Sequence, residues 1–181
     1  MKRREGYLLL ESIASLSITV ILLLMLFTLL FQCINMKYNI EDKIELQQQA
    51  AEITTHIEDT IGNSMGIISI NSIKGENYIE NTGSIDAVSI KCKYKNIDER
   101  SLTEFKEIDL KKNISKIFIN TLNDKSIKSG EYEIGDYIDK MHIEISKDGR
   151  CADIKLQLSK NKQSYESRFK VYIRNFDGEK I

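Results

Sequence analysis

Proline and tryptophan are absent from this 181-residue chain, histidine occurs twice and cysteine three times. Without proline, no helix is stopped or kinked by a pyrrolidine ring, so helix ends fall to glycine and polar caps. An excess of charge of one sign is missing as well. Lys+Arg number 26 against 27 Asp+Glu, a formal net charge of -1. That balance excludes the basic surface of a nucleic-acid binder, so no direct nucleic-acid partner is expected. It equally excludes the strongly acidic composition of a disordered chain.

Catalytic and metal signatures are missing too. There is no HExxH, GxSxG, phosphate loop or EF-hand loop. His56 lies in an amphipathic stretch and His142 in a strand-like one, and lone histidines of this kind read as structural residues. Asp86, Asp98, Asp136 and Asp139 sit near loops without the ligand spacing of a calcium loop. The expectation is a protein with no cofactor, no metal and no enzymatic activity. Cys33 closes an apolar run, while Cys92 and Cys151 lie far apart in the polar region. In an oxidising exterior these two are able to form a disulfide closing a long loop. Alternatively each is a small buried apolar residue on a strand.

What the chain does have is one long apolar run. Residues 12–31, SIASLSITVILLLMLFTLLF, are all apolar or small hydroxyl residues. At about 1.5 Å per residue this length spans a hydrocarbon core of about 30 Å as a helix. Lys2, Arg3 and Arg4 precede it, which places the N-terminus in the cytoplasm and the residues after the run outside. A cleaved secretory signal has a shorter apolar region and an A-x-A-like site, and FQCINMKYN offers none. An uncleaved signal-anchor is the remaining simple alternative. Glu11, at the mouth of the run, argues against it, because a carboxylate at the membrane boundary usually marks function.

The residues M-K-R-R-E-G followed by Y-L-L-L-E-S-I resemble the leader of the type IV prepilin family. That family shows a short basic leader ending in glycine, a bulky or aromatic residue, a glutamate at a fixed offset, and then an apolar helix. The resemblance implies that a membrane aspartyl peptidase cuts between Gly6 and Tyr7 and methylates the new Tyr7 amine. Glu11 then becomes the fifth residue of the mature chain, placed to pair with the Tyr7 amine of a neighbouring subunit. The physics is compatible: glycine gives a protease unobstructed backbone access, and two opposite charges neutralise each other in a low-dielectric filament core. Two features depart from the commonest pattern. Tyr7 replaces phenylalanine, and Thr28 stands where a proline is often found. The second departure points to a minor subunit.

The resemblance implies a structural subunit: a minor pilin or pseudopilin that is assembled into, primes or caps a type IV pilus, a secretion pseudopilus or a DNA-uptake pilus. Its partners are the prepilin peptidase, other pilin subunits, the membrane platform protein of the assembly machine, and the lipid bilayer before assembly. A bitopic surface binding or sensing protein with an uncleaved anchor is the alternative.

Past the membrane run, apolar residues recur at Ile40, Ile44, Ala51, Ile53, Ile57 and Ile61 with charges between them. That is an amphipathic helix ended by Gly62, Asn63 and Ser64. Beyond Gly66 the period changes to two, and strands are expected at 67–73, 87–94, 105–110, 114–122, 137–146, 151–159 and 165–174. Asp148-Gly149 is a hairpin signal that makes 142–146 and 151–159 antiparallel neighbours. The expected organisation is a leader at 1–6, a membrane and filament-core helix at 7–34, its amphipathic continuation at 35–62, and a β-rich domain at 63–181. The fold class is α+β, a long N-terminal helix packed on an antiparallel sheet as in pilins. A C-terminal hairpin and a last strand ending in Arg174-Asn175 resemble the J-type pseudopilins and W-type minor pilins.

Overall fold

The structure, a computed structural model, describes residues 2–72, 77–78, 84–94, 104–122 and 128–176, with side chains of 2–6 and 77–78 set aside. Among the described residues one helix, α1 (Lys2–Gly62), is followed by nine strands. The chain divides into two compact units, Met1–Glu41 and Asp42–Ile181, and α1 contributes to both.

In the first unit the helix is clothed in apolar side chains that meet no partner. Every large hydrophobic residue from Tyr7 to Phe31 is exposed, and none of the most apolar window is buried. Leaving a leucine-sized side chain in water forgoes about 1.5–3 kcal/mol. Repeated along this run, the loss reaches tens of kcal/mol, more than the ~5–15 kcal/mol that holds a domain together. The helix is long and apolar enough to cross a membrane. Its hydroxyls do not oppose this: Ser12, Ser17 and Thr19 donate to the carbonyls of Leu8, Ile13 and Ser15 at 2.8–2.9 Å. Thr28 does the same to Leu24, so these groups carry their hydrogen-bond partners with them.

In the second unit the residues of α1 from Asp42 onward lie on the sheet. The buried stripe is Leu46, Ala50, Ile53, Ile57 and Ile61, each at most 1% exposed. Steps of three and four residues keep it on one face. This corrects the expected stripe at one end. Ile53, Ile57 and Ile61 belong to it, but Ile40 and Ile44 are about half exposed and Ala51 is exposed too. Those three sit on a different side of the helix, in register with one another but not with Leu46.

The strands are β1 (Gly66–Ser72), β2 (Asn77–Tyr78), β3 (Ile85–Tyr94), β4 (Glu104–Lys111), β5 (Lys116–Leu122), β6 (Lys128–Gly135), β7 (Ile138–Ile145), β8 (Cys151–Lys160) and β9 (Gln163–Tyr172). They form one antiparallel sheet in the order β6-β5-β4-β3-β7-β8-β9, with β1 on β3 and β2 on β1. Ile90, Ile108 and Ile119 stand opposite one another on neighbouring strands, as do Ile143, Ile154 and Phe169. These rows join the α1 stripe in a single core. The joint between β3 and β7 is narrow, with Ile85, Asp86 and Ala87 opposite Ile143, His142 and Met141.

The expected α+β arrangement of a long helix on an antiparallel sheet is present. The 142–146 and 151–159 segments pair as read, Met141 opposite Leu156 and Ile145 opposite Ala152. Gly149 turns the chain with a φ of 73°, the left-handed conformation that favours glycine. Two strands escaped the reading. β2 is only two residues long. β6 is an edge strand exposed along its whole length except its Ile134 end, so it has no alternation to detect. β5 starts two residues later than expected, because 112–115 form a turn with Ser115 at a φ of 53°. Residue 73 of the first expected strand lies outside the described residues.

Candidate processing site and anchoring contacts

Gly6, Tyr7 and Glu11 all fall on the first turns of α1. Tyr7 is 75% exposed and Glu11 is exposed. Four residues apart on a helix, Tyr7 and Glu11 share a face one turn apart. The Gly6–Tyr7 peptide therefore sits within helical backbone, and a protease that takes its substrate extended must unwind this end. Glycine eases that step, since it weakens a helix by about 1 kcal/mol relative to alanine, and helix ends fray.

Two of the places where the helix is fastened to the sheet in the second unit lie near its two ends, and neither was visible in the sequence. At the first, Glu45 accepts hydrogen bonds from Lys160 Nζ at 2.5 Å and from Tyr137 Oη at 3.0 Å. Asp42 accepts from Asn161 Nδ2 at 2.8 Å and lies 3.7 Å from Lys160. The Lys160 ammonium bonded to it, and then the Tyr137 hydroxyl, hold the Glu45 carboxyl below the usual carboxylate range. Reciprocally, the bond to Glu45 holds Lys160 above the usual lysine value. At the second place, the far end of α1, Arg174 N donates to Gly62 O at 2.9 Å and Asn175 Nδ2 to Asn63 O at 3.2 Å. The Arg174-Asn175 pair thus caps the helix from a turn beyond β9 rather than ending a strand.

The cysteines remain apart. All three are free thiols. Cys92 is fully buried on β3 between Ile67 and Lys106, and burial pushes its thiol up to about 12. Cys151 opens β8 opposite Tyr172, with β7 standing between the two strands. The possible Cys92–Cys151 bridge is therefore not formed. Cys92 fills the other role foreseen for it, that of a small core residue. Cys33 is exposed on α1.

The remaining candidates disperse. Asp86 pairs with His142, Asp136 lies 3.2 Å from Lys116, and Asp139 is exposed. Asp98 lies outside the described residues. Among the described residues no three His, Cys, Asp or Glu side chains converge as a metal site. His56 meets the edge of Tyr132 at 5.7 Å and lines a cleft of about 190 Å³ with Asp59, Thr60, Asn63, Tyr94 and Lys106. The Lys106 ammonium already lies 4.6 Å from the Tyr94 ring within that cleft. No known protein family, characterised protein or solved structure matches the chain.

Proposed function

We propose that this chain is a minor pilin or pseudopilin, processed between Gly6 and Tyr7 and assembled through α1 into a filament or its tip. The observation that carries the reading is the coincidence, within the residues REGYLLLESI, of a basic leader, Gly6, Tyr7 and Glu11 at the head of an apolar run. Support comes from two further features. The helix carrying that run continues into an α+β domain, and the large apolar side chains from Tyr7 to Phe31 are exposed. A bilayer satisfies those side chains before assembly, and helices of neighbouring subunits satisfy them afterwards.

On this reading the prepilin peptidase removes residues 1–6 on the cytoplasmic side and methylates the Tyr7 amine. Glu11 then selects the register of insertion. A buried carboxylate facing a neighbour's amine is tolerated, and one left alone costs several kcal/mol. The platform protein and the other pilins are the partners, and the sheet faces outward to whatever the filament meets. A type IV pilus, a secretion pseudopilus and a DNA-uptake pilus all accommodate these features.

Replacing Gly6 by leucine adds a side chain at the scissile bond and a stronger helix former. The G6L precursor is expected to persist uncut in cells that carry the peptidase. A normally shortened chain from G6L would remove the basis of the reading.

A further inference from the structure

α1 ends without a basic residue in its last turn, yet its four final carbonyls are all occupied. Asp59 O accepts from Asn63 N at 3.2 Å, and Ile61 O accepts from Ser64 N and Ser64 Oγ at 3.1 and 2.7 Å. The other two are satisfied from far along the chain, Thr60 O by the Tyr94 hydroxyl and Gly62 O by Arg174 N. A helix end left without these partners exposes or orphans its carbonyls.

The residues that complete the cap form a short strap after β9. Ile173 N donates to Arg150 O at 2.9 Å, Arg174 N to Gly62 O at 2.9 Å, and Asn175 Nδ2 to Asn63 O at 3.2 Å. Ile173 is buried and belongs to the core. Phe176 follows and wedges between two glycines. Its ring lies 3.9 Å from where a Gly66 Cβ would stand and 3.1 Å from where a Gly149 Cβ would stand. Arg150 sits over the same ring at 5.8 Å. Four residues thus tie together the end of α1, the start of β1 and the β7–β8 hairpin.

We infer that residues 173–176 are a clasp that locks the far end of α1 onto the sheet, and that this lock opens separately from the rest of the domain. Without it, Gly62 O and Asn63 O have only water, and Phe176's seat between Gly66 and Gly149 is empty. The last turns of α1 then lift from the sheet while the pairing of the strands is kept.

Hydrogen exchange on the full chain in lipid nanodiscs tests this, comparing the native sequence with N175A, F176A and G149A. The first removes one donor, the second empties the wedge, and the third places a Cβ against the ring. Each is expected to speed exchange of amides over 57–66 by about tenfold, while amides over 46–53 and 117–122 keep their protection. N175A is mild enough to fold, so the comparison survives if another variant does not. Equal acceleration across all these segments would make the strap an ordinary part of global stability and overturn the inference. Unchanged exchange over 57–66 in every variant would overturn it as well.

Discussion

At the residue scale, glycines and a cysteine carry the sharpest consequences. Gly135, at the end of β6, has no room for a Cβ: the added atom would collide with Ile53 Cγ1 and Cδ1, and Gln49 Oε1 would stand 3.2 Å away. Ile53 is fully buried and has nowhere to retreat. Gly135→Ala is therefore expected to destabilise the domain by about 1–3 kcal/mol, the usual range for overpacking a core. Urea unfolding reads this directly, and an unchanged midpoint would show that helix and sheet separate freely there. Cys92 offers a second check. Buried and held above the usual thiol range by that burial, it should resist thiol reagents in the folded protein and react after unfolding. A purified chain in which Cys92 and Cys151 resist labelling even when unfolded without reductant would instead show that they are bridged. The sequence left both roles open for Cys92, because the choice depends on which strands lie between it and Cys151.

At the element scale, the legible parts were those with a clear period. Alternating and β-branched residues located β1, β3, β4, β7, β8 and β9 closely, most cleanly in β8, where Ala152, Ile154, Leu156 and Leu158 are buried and the residues between them are not. β6 escaped because an edge strand with almost nothing buried has no face to alternate. The helix stripe was half legible. Ile53, Ile57 and Ile61 fit the period, but Leu46 and Ala50 extend it while Ile40 and Ile44 do not. Phase, rather than the presence of isoleucine, decides which side meets the sheet. The fastening of α1 was not legible, since Glu45 and Lys160 are far apart in sequence and meet only in the fold.

That contact has a pH signature. Glu45's carboxyl is held low in the folded state, so its contribution is present above the unfolded carboxylate value and lost as pH falls through the folded one. Lys160 is held high, so its contribution is present below the unfolded lysine value and lost as pH rises through the folded one. The contact therefore contributes fully between about pH 4.5 and about pH 10.5, the ordinary values of the two groups, and is lost progressively outside that window. The variant E45Q is expected to unfold at lower urea than the native chain near neutral pH. That gap should close as the pH falls below the ordinary carboxylate range, where Glu45 becomes protonated in the folded state as well. A gap that persists unchanged in acid would mean that the Glu45 charge contributes nothing.

At the scale of the whole molecule, α1 changes character along its length. Its first part has apolar groups exposed on every side, and its continuation from Asp42 buries a single stripe in an α+β core. The fold class was legible from the change of period near Gly66, and the membrane-length run from hydropathy alone. The proposed function rests on the short pattern around Gly6, Tyr7 and Glu11, and that proposal makes a chemical prediction about the mature protein. Intact mass and N-terminal sequencing of the protein isolated from its own cells test it most directly. The account predicts a chain lacking residues 1–6 and beginning at N-methylated Tyr7; a chain beginning at Met1, with the leader intact and no added methyl group, would contradict it and leave an uncleaved membrane anchor in its place.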